Sequence, residues 1–96
     1  MRVNEPGQPV IEAATEDFFL SETLAVRQPR NGYRAGTDAV LLAALLSPET
    51  AGKGPILDVG AGVGVVGLCV AARCPDAKVL LVEREPDLAV LARHNI

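Results

Sequence analysis

The chain has 96 residues, is 49 % apolar and carries a net charge of −3, with a pI near 5.0. That makes one small domain at most, burying only about 60–65 % of its unfolded surface. The composition excludes a disordered chain, a global nucleic-acid footprint and, with no run near ~18 apolar residues, a membrane span.

The N-terminal stretch MRVNEPGQPVIEAATED has no signal-peptide core. Pro6, Gly7 and Pro9 precede Val10–Ile11, so residues 1–17 read as a flexible lead-in. Residues 18–54 read as a hairpin followed by a buried helix. Phe18–Leu20 and Leu24–Val26 are its strands, with Ser21–Thr23 as the turn. Arg27, Arg30 and Arg34 form the only basic cluster. It reads either as a solvated loop or as a contact to phosphate or carboxylate, which Arg forks suit equally. Tyr33 beside it reads as loop packing or as a residue at a site mouth.

Thr37 is a predicted helix N-cap, with Asp38 placed against the dipole. Ala39–Leu46 is apolar at every position, so this helix is expected to be buried nearly all round. Ser47–Pro48 ends it and can cap a further short turn.

The remaining segment, residues 55–96, carries the chemistry. Ile56–Val59 is a short apolar run that stops at Gly60, Gly62 and Gly64 and passes into a helical segment, Val63–Arg73. Strand, glycine turn and helix together bring unpaired N–H groups and a dipole's positive end to an anionic ligand group. Gly67 costs about 1 kcal/mol inside that helix, which points to close approach of helix to strand. Lys78–Val82 is a second buried strand, Glu83 stands at its carboxyl end, and Pro86–Asp87 open a last helix with Leu88, Leu91 and Ala92 on one face. This spacing gives a parallel pair with a right-handed crossover.

Two cofactor classes use such a turn. The dinucleotide fingerprint fits Gly62, Gly64 and Gly67 formally. The pattern apolar-apolar-Asp-apolar-Gly-x-Gly-x-Gly fits ILDVGAGVG and resembles the first signature of class I S-adenosylmethionine methyltransferases. Glu83 follows Gly60 by 23 residues, where an acid can accept from both ribose hydroxyls of an adenosyl group. Arg84 beside it either packs along the adenine or faces solvent. Asp58 is read as an acceptor that fixes the turn or holds a water near the donor's amino group. His94, Cys69 and Cys74 make no metal-ligand pattern. The cysteines read as packing residues in a reducing cytosol, giving a cytoplasmic expectation.

Leu24–Leu46, LAVRQPRNGYRAGTDAVLLAALL, adds a narrower resemblance. Its Gly32, Tyr33, Arg34, Gly36, Thr37, Asp38, Ala39, Leu41 and Leu42 resemble the bacterial tRNA (adenine-N6)-methyltransferase family that modifies valine tRNA. With the glycine stretch and VEREPDLAVLARHNI, the likeness covers Phe18–Ile96. It implies an α/β, Rossmann-like, seven-stranded sheet preceded by a β-hairpin and helix, here truncated to the first β-α-β-α. It implies S-adenosylmethionine as cofactor, held by Gly36, Thr37, Asp38, Asp58, Gly60, Ala61, Gly62, Gly64, Glu83 and Arg84, with Gly36–Asp38 against the methionine end. Relatives often carry glycines where this chain has Ser21–Glu22.

The family's catalytic Asn-Pro-Pro-aromatic signature does not occur in the sequence. The resemblance therefore implies the donor-binding half of a longer enzyme methylating an adenine amino group in tRNA, inactive by itself, with no metal and no membrane. Uncovered sheet edges leave such a half open to self-association. Two other readings stay open: an NAD(P)-binding module of an oxidoreductase, and a non-catalytic fragment completed by another chain.

Overall fold

A computed structural model describes residues 7–32 and 34–96; the expectations for residues 1–6 and for Tyr33 lie outside the described residues. The elements run α1 (Gln8–Ala13), β1 (Thr15–Phe19), β2 (Leu24–Gln28), α2 (Thr37–Ala44), α3 (Pro48–Ala51), β3 (Pro55–Val59), α4 (Val65–Arg73), β4 (Lys78–Val82) and α5 (Pro86–Asn95). This is a mixed α/β chain with two separate two-stranded sheets.

β1 and β2 pair antiparallel, from Thr15 opposite Gln28 to Phe19 opposite Leu24. Their turn has positive φ at Leu20, Ser21 and Glu22, and the Thr23 N–H closes it on the Leu20 carbonyl at 3.1 Å. Positive φ at both central positions is what tight hairpins demand, usually met by Asn-Gly. Here Ser21 and Glu22 adopt it against a cost of about 1–2 kcal/mol each. β3 and β4 pair parallel, Pro55 beside Lys78 through Val59 beside Val82, with α4 as the crossover.

The core is a seam between helices and hairpin. α2 and β4 pack on α4, and α5 packs on β2 with α1 behind it. Val26, Val65, Cys69, Val70, Cys74 and Leu91 are its largest fully buried apolar side chains. Both cysteines are buried and free; burial pushes the Cys69 thiol up, against a smaller pull from Arg73.

Four expectations need correction. Residues 8–17 are not a lead-in without structure: they hold α1 and the first residues of β1. Six residues cannot sustain a helix alone; α1 exists because Val10 and Ile11 pack against the core. The N-cap of α2 is Gly36 rather than Thr37, and no side chain caps it. α2 is not buried all round: only Ala39 and Ala43 are, and Leu41, Leu42 and Leu45 are exposed. β3 and β4 are not buried on both sides either. Ile56, Asp58, Val79 and Leu81 are half-covered, while Leu57, Val59, Leu80 and Val82 are exposed. In both cases a single helix, α4, covers one face.

Of two caps, one was legible in the sequence. The Ser47 hydroxyl accepts from the Thr50 N–H at 3.2 Å, starting α3. Arg73, at the end of α4, donates to the Ala43 carbonyl at 3.0 Å and so satisfies the last turn of α2 from outside; that cap had no signal in the sequence. No described helix is long and apolar enough to cross a membrane.

Candidate functional site

The turn leaving β3 is drawn onto the end of β4. The Gly60 and Ala61 N–H groups both donate to the Val82 carbonyl, at 2.8 and 3.0 Å. Gly60, Gly62 and Gly64 take φ of 74°, 60° and 95°, a region that costs an L-residue about 1–2 kcal/mol. A Cβ on Gly60 would meet nothing within 4 Å. Glycine is needed there for the backbone conformation, and it leaves the main chain bare toward open space.

Gly64 then N-caps α4 but has no side chain to offer. The orphan N–H of Gly67, third residue of the helix, is taken by Asp58 Oδ2 at 3.2 Å. A carboxylate on β3 thus does the capping that a Ser or Asp at position 64 would do. Burial pushes the Asp58 carboxyl up, and the Gly67 N–H pulls it partly back. Gly67 itself is pressed against the sheet: its Cβ would stand 2.4 Å from Leu81 Cδ2 and 3.0 Å from Val79 Cγ1. The close approach expected from a mid-helix glycine is present.

Glu83, one residue beyond β4, folds back over the turn. Its Oε1 accepts from the Gly62 N–H at 2.8 Å, and Oε2 from the Glu85 N–H at 2.9 Å. The Glu85 N–H and then the Gly62 N–H hold its carboxyl below the usual range, so it is ionised at neutral pH. A carboxylate has about four lone-pair positions, which leaves acceptor capacity for a vicinal diol.

A cavity of about 420 Å³ lies here, within the roughly 300–1,000 Å³ of small-molecule sites. One wall is the turn, Gly60–Val63, continued by Val65 and Val66 of α4; a second is Ala35, Ala39 and Leu42; Asp58, Glu83 and Leu88 complete it. Its place at the carboxyl ends of parallel strands is where such sheets bind ligands. A slightly larger cavity, about 470 Å³, lies between α1, α5 and residues 29–31. It contains neither the turn glycines nor Glu83, so the smaller one is the candidate site.

The family model described as the methyltransferase small domain matches residues 33–96. The chain belongs to this methyltransferase family. A tRNA1(Val) (adenine(37)-N6)-methyltransferase of Porphyromonas gingivalis is 38 % identical over 81 residues, covering 82 % of this chain and 32 % of the relative. Proteins of the same name are 38 % identical over 77 residues in a Flavobacteriaceae bacterium, covering 80 % of this chain and 32 % of that one, and 34 % identical over 77 residues in Vibrio parahaemolyticus, covering 80 % and 31 %. The chain spans about a third of the length of the curated relatives it matches. No solved structure gives a significant match.

In this member of the family the expected site residues fall in four places. Asp58, Gly60, Ala61, Gly62 and Glu83 line the cavity. Gly36, Thr37 and Asp38 do not line it but sit between two residues that do, Ala35 and Ala39. Gly64 lies under the turn against Leu81, and Arg84 points to solvent with only a 3.8 Å approach to Glu85.

The basic cluster is mostly engaged elsewhere. Arg34 pairs with Asp17 at 2.7 Å, and Arg27 donates to the Ala14 carbonyl at 3.3 Å. Sequence reasoning missed the apolar lining, Val63, Val65, Val66, Leu42 and Leu88. An apolar residue beside a ligand has the same signature as one in a core.

Proposed function

We propose that this chain forms the donor-binding part of an S-adenosylmethionine-dependent methyltransferase acting on an exocyclic amino group of adenine in tRNA. The observation that carries the donor reading is Glu83. It is ionised, anchored by the Gly62 N–H, and shares one cavity with bare backbone at Gly60. A sugar diol fits the carboxylate. The donor's amino-acid tail fits the turn and the start of α4, where N–H groups and the helix dipole favour a carboxylate. In this reading Gly60, Ala61, Gly62 and Gly64 shape the turn, Asp58 fixes it, and Gly36–Asp38 approach the tail from the rim. Arg84 would have to swing in from solvent to reach the adenine.

The bound donor supplies a methyl group activated on a sulfonium. The residues here orient it and keep water out; methyl transfer is an in-line displacement in which positioning is the main contribution. The acceptor reading rests on the names of the relatives, which are adenine-N6 methyltransferases of tRNA1(Val). Cytoplasmic location and tRNA as partner follow from the same reading.

Calorimetric titration with S-adenosylhomocysteine and with NADH tests the donor. Gly67 packs on β4 as the third glycine of a dinucleotide fingerprint would, so NADH is the competitor that matters. S-adenosylhomocysteine binding with no NADH binding is expected; the reverse overturns the reading. For the acceptor, the gene product carrying this chain is expected to transfer label from the methyl donor to adenine of tRNA, and the 96 residues alone to show no turnover. Labelled protein or small amine in place of tRNA would overturn the acceptor.

A further inference from the structure

Gln28 is the one buried polar side chain among the described residues, 1 % exposed. Burying an amide is unfavourable unless both its ends are paired, and here they are. Oε1 accepts from the Ala35 N–H at 2.7 Å, and Nε2 donates to Asp17 Oδ2 at 3.1 Å. Ala35 is a wall of the candidate site. Residues 34–36 belong to no helix or strand, so no ladder of backbone bonds fixes that wall. Arg34 reinforces the same attachment by donating to Asp17 Oδ2 and Thr15 Oγ1 at 2.7 and 2.8 Å.

The next residue along β2 is held from the other side. Asn95, last residue of α5, accepts from the Arg27 N–H at 2.7 Å and donates to the Arg27 carbonyl at 3.1 Å. Its amide also donates to the Val63 carbonyl at 2.9 Å, and Val63 belongs to the turn wall. A continuous run of hydrogen bonds therefore leads from Ala35 through Gln28, β2, Arg27 and Asn95 to Val63. It connects two walls of one cavity through the hairpin. Glu83, the sugar-side group, is not part of it.

We infer that Gln28 and Asn95 are positioning residues that hold these two walls at a fixed separation and thereby set the affinity for the amino-acid tail of the donor. The inference rests on the donor reading above. Neither side chain is among the residues lining the cavity, so each acts through Ala35 or Val63. The polar pairing explains why a glutamine, rather than an apolar residue, occupies a core position of β2.

The test compares S-adenosylhomocysteine with 5′-methylthioadenosine, which keeps the adenosyl part and lacks the tail, on the whole chain by calorimetry. Gln28→Ala and Asn95→Ala are each expected to weaken S-adenosylhomocysteine about three- to tenfold, the scale of one lost hydrogen bond, and to leave 5′-methylthioadenosine within about twofold. Gln28→Glu keeps the acceptor for the Ala35 N–H but sets a carboxylate oxygen against Asp17 Oδ2, which Nε2 meets at 3.1 Å; combined with Asp17→Asn, whose amide can donate in place of Nε2, it is expected to restore tail affinity. Asn95→Asp keeps only the bond from the Arg27 N–H and is expected not to. Should the alanine variants fail to fold, the Gln28→Glu/Asp17→Asn double variant and Asn95→Asp carry the same comparison. Parallel weakening of both ligands means that the two residues merely support the fold, and overturns the inference. Unchanged binding of both ligands overturns it too while leaving the donor reading intact. A wild-type chain that binds neither ligand removes the donor reading, and this inference with it.

Discussion

Gly67→Ala tests whether the contact between α4 and the sheet is as close as it looks. On an exposed helix this change would stabilise by about 1 kcal/mol. Here the new methyl would stand 2.4 Å from Leu81 Cδ2, 3.0 Å from Val79 Cγ1 and 3.3 Å from Asp58 Oδ2. Leu81 can turn, but its other methyl already lies 2.8 Å from where a Gly64 Cβ would be, so it is wedged beneath two glycines. Val79 is β-branched and stiff. The helix must retreat, at an overpacking cost of about 1–3 kcal/mol, and the Gly67–Asp58 bond lengthens with it. We expect a net loss of about 1–2 kcal/mol in urea unfolding, or roughly 4–16 °C in Tm for a chain of this size. Gly54→Ala is the control: its Cβ meets nothing within 4 Å, and a gain of about 0.4–1 kcal/mol through the unfolded state is expected. If Gly67→Ala equals or exceeds the wild type while Gly54→Ala behaves as stated, the close-approach reasoning is wrong.

Glu83→Gln is expected to weaken S-adenosylhomocysteine about tenfold or more in calorimetry, since it removes the charge that accepts the diol. Burial raises the Asp17 carboxyl, but the Thr15 hydroxyl, the Gln28 amide and Arg34 outweigh it, so its folded pKa lies below the ordinary 3.8. Its stabilisation is therefore present above about pH 4 and lost as pH falls through the lowered value; Tm measured from pH 2 to 6 is expected to show an acid limb that Asp17→Asn flattens. Asp58 has the opposite sign, because its folded pKa is raised by burial. Its contribution falls as pH rises from 3.8 through the raised value, so Asp58→Asn, which keeps an acceptor for the Gly67 N–H, is expected at pH 7 to match or exceed wild-type stability in urea unfolding.

The parts of the site visible in the sequence are those whose cause is local. Positive φ at 60, 62 and 64 favours glycine at each, and Glu83 stands directly after the apolar run it terminates. What sequence could not show depends on partners far along the chain. Asn95 acts on Arg27 across 68 positions, and nothing near either residue announces the pairing. Gln28 sits in an ordinary strand pattern until its burial is known. α1 is a helix only because the core lies beside it. The apolar run of α2 misled for the same reason: Leu41, Leu42 and Leu45 have the composition of a buried helix, but burial is a property of what packs there.

The β3–β4 sheet separates two tasks. Its covered face carries Asp58, Val79 and Leu81 beneath α4 and so shapes the turn. Its other face presents Leu57, Val59, Leu80 and Val82, each about half or more exposed. A contiguous apolar patch of this kind is a surface on which association is expected, and it touches the cavity only through Val59. Donor binding and self-association are therefore expected to be separable. Leu57 and Leu80 are direct neighbours across the parallel pair, so Leu57→Lys with Leu80→Glu places opposite charges side by side on that face. Size-exclusion chromatography is expected to shift this variant toward the monomer, with S-adenosylhomocysteine affinity within about twofold of wild type. A monomeric variant that no longer binds would show that the bare face and the pocket are one mechanical unit.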